Sequence, residues 1–171
     1  GALYPDSGTN LIDNTSTLRK TTTSSFTISV PLRTQNATVE VQAGSLSLTG
    51  AGDYRNNTTW SVASGATLSL SASTTYTFTG THSGAIAGTF IQTNGTVQAG
   101  SGGATFNFTG NGFAWQDGTI NGSANGLTNQ GLVRVVGNTS RYLSGLLVNA
   151  GSLVHQQGAT YFNGATLQNT N

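Results

Sequence analysis

Chemistry in this chain has few residues to work with. The carboxylates are Asp6, Asp13, Glu40, Asp53 and Asp117, the histidines are His82 and His155, and there is no cysteine. Glycoside hydrolysis needs two carboxyl groups held close to one sugar linkage, and none of these five are neighbours in sequence. Two isolated histidines with no Ser or Asp constellation make no acid–base unit, so both are expected as solvated turn or wall residues. No H-x-x-x-H, calcium-loop or G-G-x-G-x-D pattern occurs, and neither a metal nor a cofactor is expected. Gly100-Ser101-Gly102-Gly103 lacks the helix and the lysine a phosphate cradle requires and reads as a loop between repeats. Lys20, the sole lysine, reads as an exposed solubilising residue. An isopeptide bond to an asparagine would need a buried carboxylate beside it, and only Asp13 is near in sequence.

Binding is the stronger prospect. Tyr54 and Arg55 fall in the polar stretch Gly52–Asn57, and Arg141 and Tyr142 follow Asn138-Thr139-Ser140. Both stretches read as loops, and an aromatic ring beside a guanidinium on a protruding loop can stack on and hydrogen-bond a glycan or a peptide. Tyr54, Arg55, Arg141 and Tyr142 are therefore the candidate binding residues. Trp60 and Trp115 keep step with apolar neighbours and are expected to point inward or to cover a coil end. The rows Thr75-Tyr76-Thr77-Phe78-Thr79 and Thr105-Phe106-Asn107-Phe108-Thr109 would suit ice only if repeated on every coil, and residues 36–48 and 130–153 do not repeat them. Eight Asn-x-Ser/Thr triplets begin at Asn14, Asn36, Asn56, Asn57, Asn94, Asn107, Asn121 and Asn138. They follow from an Asn- and Thr-rich composition that suits corners and stacked ladders.

These residues sit in an unusual chain. Of its 171 residues only 6% are charged, against roughly 25% in an average soluble protein. Ser and Thr together number 47, Gly 24 and Asn 16. Disordered chains are typically rich in net charge, whereas this one carries +1 and spaces its apolar residues regularly. The same balance offers no electrostatic footprint for nucleic acid, and no apolar run approaches the ~18 residues of a membrane helix. Solubility must come from hydroxyls and amides, which suits a secreted, cell-surface setting. The N-terminal Gly1-Ala2-Leu3-Tyr4-Pro5-Asp6 shows no leader pattern, so either a leader has been removed or the chain is a piece of a longer one.

Strict alternation marks short strands at Phe26-Thr27-Ile28-Ser29-Val30, Thr38-Val39-Glu40-Val41, Leu46-Ser47-Leu48, Leu68-Ser69-Leu70, Tyr76-Thr77-Phe78 and Phe106-Asn107-Phe108. Period 2 means one face buried and one solvated. The strands also recur. Val41 maps to Val62, Leu46 to Leu68 and Leu48 to Leu70, while Asn94-Gly95-Thr96-Val97 maps to Asp117-Gly118-Thr119-Ile120 and Gly131-Leu132-Val133 to Gly151-Ser152-Leu153. A step of roughly 20 to 23 residues, built as strand, polar-Gly corner, strand, fits one coil of an all-β parallel solenoid. An antiparallel β-sandwich of pilin-like type is the alternative fold. Residues 1–25 are expected as a lead-in, cap or exchanged strand, with Leu11-Ile12-Asp13-Asn14 as the strand, and 26–171 as solenoid. No capping helix follows Leu153, so truncation or end-to-end contact with another molecule is expected.

The blocks at 36–48 and 57–70 resemble the degenerate repeats of bacterial secreted right-handed parallel β-helix proteins of the autotransporter-passenger or adhesin type. The resemblance covers most of residues 26–167. It implies a parallel β-helix, secretion and a surface or adhesive role, and carries over no catalytic residue. The expected function is a non-enzymatic extracellular structural and adhesive segment whose partners are neighbouring repeats or other copies, joined end to end or by strand exchange into a filament, and surface glycans. The alternatives are a glycan-binding module and a polysaccharide-degrading enzyme. Membrane insertion is not expected.

Overall fold

Alternating apolar residues between glycine corners bury their inward face only if each strand finds a partner one repeat away. That is what the chain does: all strand pairings are parallel, between segments about one repeat apart. The computed structural model describes residues 1–170, among which no helix forms. The chain is a parallel β-solenoid of eight coils. The antiparallel sandwich is excluded, because no described strand hairpins onto its neighbour in sequence.

One face takes a single short strand from each coil in order: Ala2–Leu3, Ser25–Ile28, Ser45–Leu48, Thr67–Leu70, Thr89–Gln92, Phe113–Trp115, Leu132–Val135 and Ser152–His155. The second face begins with Ile12–Asn14, Leu32–Gln35 and Gly52–Arg55, and the third with Thr17–Lys20, Thr38–Val41 and Thr58–Val62. From the fourth coil on, long strands run across both: Thr75–Ile86, Thr96–Gly110, Ser140–Asn149 and Ala159–Asn169. In the sixth coil that path is split into Gly118–Asn121 and Leu127–Asn129. Residues 2–20, expected as a lead-in, cap or exchanged strand, thus wind as the first coil and pair with the second. The expected register holds: Val41 lies opposite Val62, Leu46 opposite Leu68, Thr96 opposite Thr119 and Val133 opposite Leu153. Gly95 and Gly118 turn the corner at φ of 75° and 81°, where a side chain would be strained.

Inside, like stacks on like. Phe26, Leu46, Leu68, Phe90, Phe113, Val133 and Leu153 form one continuous column. Coils three to six are filled by rings: Tyr54, Trp60, Phe78, His82, Phe90, Phe106, Phe108 and Phe113 touch one another in an unbroken network. Both tryptophans are buried, as expected. Gly52 occupies an inward position because a Cβ there would come 2.4 Å from the Tyr54 ring, which folds back into that space. At the corner between the third and first faces, Asn129, Asn149 and Asn169 form an amide ladder: Asn129 Nδ2 donates to Asn149 Oδ1 at 2.7 Å, and Asn149 Nδ2 to Asn169 Oδ1 at 3.1 Å. The rungs pair the buried Asn129 and Asn149 side chains, and Asn129 Nδ2 also donates to the Ser152 carbonyl at 2.8 Å.

Two expectations about single residues are overturned. His82 is not a solvated wall residue but is fully buried, because its position falls inward between Thr58 and Phe106 of the adjacent coils. Lys20 is not exposed; its stem lies inward in the column below Val41, and its ammonium donates to the Ala43 carbonyl and to Thr22.

Candidate functional site

Side chains alternate on a strand, so two adjacent residues point to opposite sides. This decides the fate of the four candidate binding residues. Tyr54 and Arg55 lie in the strand Gly52–Arg55, not in a protruding loop. Tyr54 is fully buried, with its ring edge-on to Trp60 at 5.0 Å and to Phe78 at 4.8 Å. Burial raises its phenol pKa well above the ordinary value, with a smaller contribution from Tyr76. Arg55 faces outward. Arg141 and Tyr142 share the strand Ser140–Asn149 and divide the same way, with Arg141 buried and Tyr142 exposed. Neither ring–guanidinium pair can act as a unit on a ligand.

Arg141 is instead a staple. Its Nε donates to the Gln116 carbonyl at 3.1 Å, Nη1 to Gln157 at 2.9 Å, and Nη2 to Val136 and Gly137 at 2.8 and 2.9 Å. These carbonyls belong to the corners of three successive coils. Burial lowers its pKa, against the pull of the Asp117 carboxylate, yet a guanidinium stays charged in proteins. Arg141→Met strands those carbonyls and is expected to cost about 2 kcal/mol. Hydrogen exchange should show residues 152–169 losing protection first, and unchanged protection there would refute the staple.

Tyr142 stacks on Tyr161 of the next coil with ring centroids 5.6 Å apart and planes inclined by 28°. Both rings stand half in solvent, beside the outward threonines Thr119 and Thr96 of the preceding coils.

The outward charges gather near the other end of the rod. On the second face Asp13, Arg33 and Asp53 lie opposite one another on consecutive coils. Arg33 pairs with Asp13, and Arg55 takes both oxygens of Asp53, Nε to Oδ1 at 2.9 Å and Nη2 to Oδ2 at 2.6 Å. On the third face Arg19 meets Glu40 at 2.5 Å. The hydrogen bond from Arg33 holds the Asp13 carboxyl below its usual range, and those from Gln42 and then Arg19 do so for Glu40. Isopeptide chemistry has no partner in this arrangement, since Asp13 is committed to Arg33.

Next to these charges the wall has a recess that no single repeat shows. In the fourth coil only Thr79 lies between Phe78 and Gly80; in the fifth, their partners Ala99 and Ala104 are separated by four residues, Gly100 to Gly103. The sixth coil carries a similar excursion, Gly122 to Gly126, between Asn121 and Leu127. Gly100–Gly103 is thus not a loop between coils but a bulge within one. The bulges support each other: Asn125 Nδ2 donates to the Ser101 carbonyl at 2.6 Å and Ser123 Oγ to that of Ala99 at 3.1 Å. Together they raise a ridge whose tips, Ser101, Gly102, Ala124 and Asn125, are exposed. At its foot lies an open recess of about 390 Å³. Thr77 and Thr79 form its floor, Asp53, Arg55 and Asn56 one wall, and Gly100 and Ser101 the other. A Cβ on Gly100 would lie 2.0 Å from Thr79 Oγ1, so only glycine lets the ridge sit this close. Of these residues only Arg55 was a candidate from sequence; the others are brought together by coil stacking. The one local signal was the surplus of glycine at 100–103.

Among the described residues no group of three or more His, Cys, Asp or Glu side chains comes together to hold a metal. No protein-family model, curated protein or solved structure matches this chain.

Proposed function

We propose that the chain is a non-enzymatic structural and adhesive segment of an extracellular bacterial surface protein. The supporting observation is the division between core and wall. A continuous apolar and aromatic interior runs through eight coils of unbroken parallel ladder, while the outward rows are mostly hydroxyls, amides and paired charges. Stacked at roughly 4.8 Å per coil, such a ladder makes a stiff spacer. Asp13 and Glu40, held ionised by their partners, are poorly suited to the general-acid role, which needs a raised pKa. The first coil leaves Leu3, Leu18, Phe26 and Ile28 around one apolar opening, and the last leaves Leu153, Phe162 and Leu167 around another. Both suit contact with a neighbouring repeat or a second copy.

Immunogold labelling of intact, unpermeabilised cells tests the location, with label expected on the outer surface. Label seen only after permeabilisation would overturn the reading.

A further inference from the structure

We infer that the recess at the foot of the Gly100–Gly103 ridge binds a neutral glycan. The inference rests on the adhesive half of the proposed function and supplies it with a site and a ligand class.

The lining selects the ligand by exclusion and by fit. Asp53 and Arg55 enter as a closed ion pair, so the recess carries no net charge. An anion would face the Asp53 carboxylate and a cation would face Arg55, with Arg33 opposite Asp53 on the coil below. An apolar ligand would find mainly hydroxyls, an amide and charges on floor and walls. A sugar presents adjacent hydroxyls, each able to donate and accept, and Thr77, Thr79 and Ser101 can do both in return. Asp53 can accept further hydrogen bonds, since its two oxygens offer about four sites and Arg55 occupies one on each. The guanidinium edge turned away from Asp53 remains a donor. The Asn56 side chain, on a backbone held at φ 38°, adds an amide. A volume of about 390 Å³ lies within the range of small-ligand sites. A peptide laid against the wall would need pockets for alternate side chains, and the threonine floor offers none. The floor is rigid strand and the ridge is cross-braced by Asn125 and Ser123, so little ordering is left to occur on binding.

The test is an NMR titration of the intact chain with neutral oligosaccharides of glucose, galactose, mannose and N-acetylglucosamine. Polygalacturonate serves as the anionic probe and a Gly-Ser peptide as the polar peptide probe. At least one neutral oligosaccharide is expected to shift the amides of Thr77, Thr79 and Ser101. The double variant Asp53→Asn/Thr77→Val is expected to weaken it about tenfold or more with an unchanged melting curve, because both side chains lie on the outer wall and a surface ion pair contributes little. Tyr142→Ala, on distant coils, is expected to leave binding unchanged. Four results each overturn the proposal: no neutral sugar binding up to ~10 mM, stronger binding of polygalacturonate or of the peptide, binding unaffected by the double variant, or binding lost with Tyr142→Ala. Failure here leaves the surface-segment reading intact, since cell labelling reads location without any sugar. Failure of the labelling leaves the titration equally readable.

Discussion

Trp60→Ala is expected to destabilise the solenoid by about 4 kcal/mol, near the upper part of the range for large-to-small changes in a core. The indole is fully buried and is the hub where the three faces meet. It stacks on Phe90 at 5.2 Å and 23°, meets Tyr54 edge-on at 5.0 Å, tilts against Phe78 at 6.0 Å, and donates its N–H to His82 Nδ1 at 3.4 Å. Its neighbours are themselves large rings on rigid strands, so the space cannot collapse. The damage should also be local in a way that globular cores do not allow. In a solenoid each stretch packs only on the coils close above and below it, so the defect weakens the stack between the third and fifth coils, where these partners lie, and leaves the far end intact. Urea unfolding should move to a lower midpoint, and hydrogen exchange should rise first at residues 58–62 and 75–86. Uniform loss of protection along the chain would show that the coils unfold as one unit and not as a stack. Tyr54→Phe is the internal contrast. The Tyr54 hydroxyl is buried without a hydrogen-bond partner, so removing it should cost little.

The winding was readable because period and corner chemistry act within one repeat. Leu46-Ser47-Leu48 and Leu68-Ser69-Leu70 show the buried parity, and Asn94-Gly95 and Asp117-Gly118 show the corners, where Gly95 and Gly118 take positive φ. What misled was polarity. Gly52-Asp53-Tyr54-Arg55-Asn56-Asn57 reads as a loop on composition, yet it is a strand whose outward positions hold Asp53 and Arg55 and whose inward ones hold Gly52 and Tyr54. Setting it beside Tyr76-Thr77-Phe78, which pairs with it, would have assigned Tyr54 to the core. His82 had no such local cue. Thr81-His82-Ser83-Gly84 is polar throughout, and only Thr58 below and Phe106 above show that the ring turns inward. The recess was beyond reach for a related reason. Its residues come from three coils, and whether a wall is flat or indented depends on a difference between adjacent coils, which a repeat pattern averages away.

Lowering the pH from 6.5 to 4 is expected to cost the native state about 3 kcal/mol through His82 alone. Burial pushes this imidazole from an ordinary 6.5 down to about 4, with backbone hydrogen bonding at Thr79 opposing. The geometry explains the direction. The ring lies among Trp60, Phe78 and Phe106, and Nδ1 accepts the Trp60 N–H, a bond that a proton on Nδ1 would break. Above about 6.5 the ring is neutral in folded and unfolded chains alike, and pH has no leverage on it. Below that, the unfolded chain takes up a proton that the folded one refuses, so stability falls with pH at about 1.4 kcal/mol per unit. The loss stops near pH 4, where the buried ring itself becomes charged. Asp13 and Glu40 also lose their ion pairs in acid, but both lie on the outer wall where solvent screens their contribution. His82→Phe separates the two effects: it keeps an aromatic ring in the cluster and removes the titration. Urea midpoints of the wild type should drop steeply between pH 6.5 and 4 and those of the variant only slightly. Parallel curves would mean that the imidazole escapes its pocket before it is protonated, and that the aromatic centre of the rod is looser than its packing indicates.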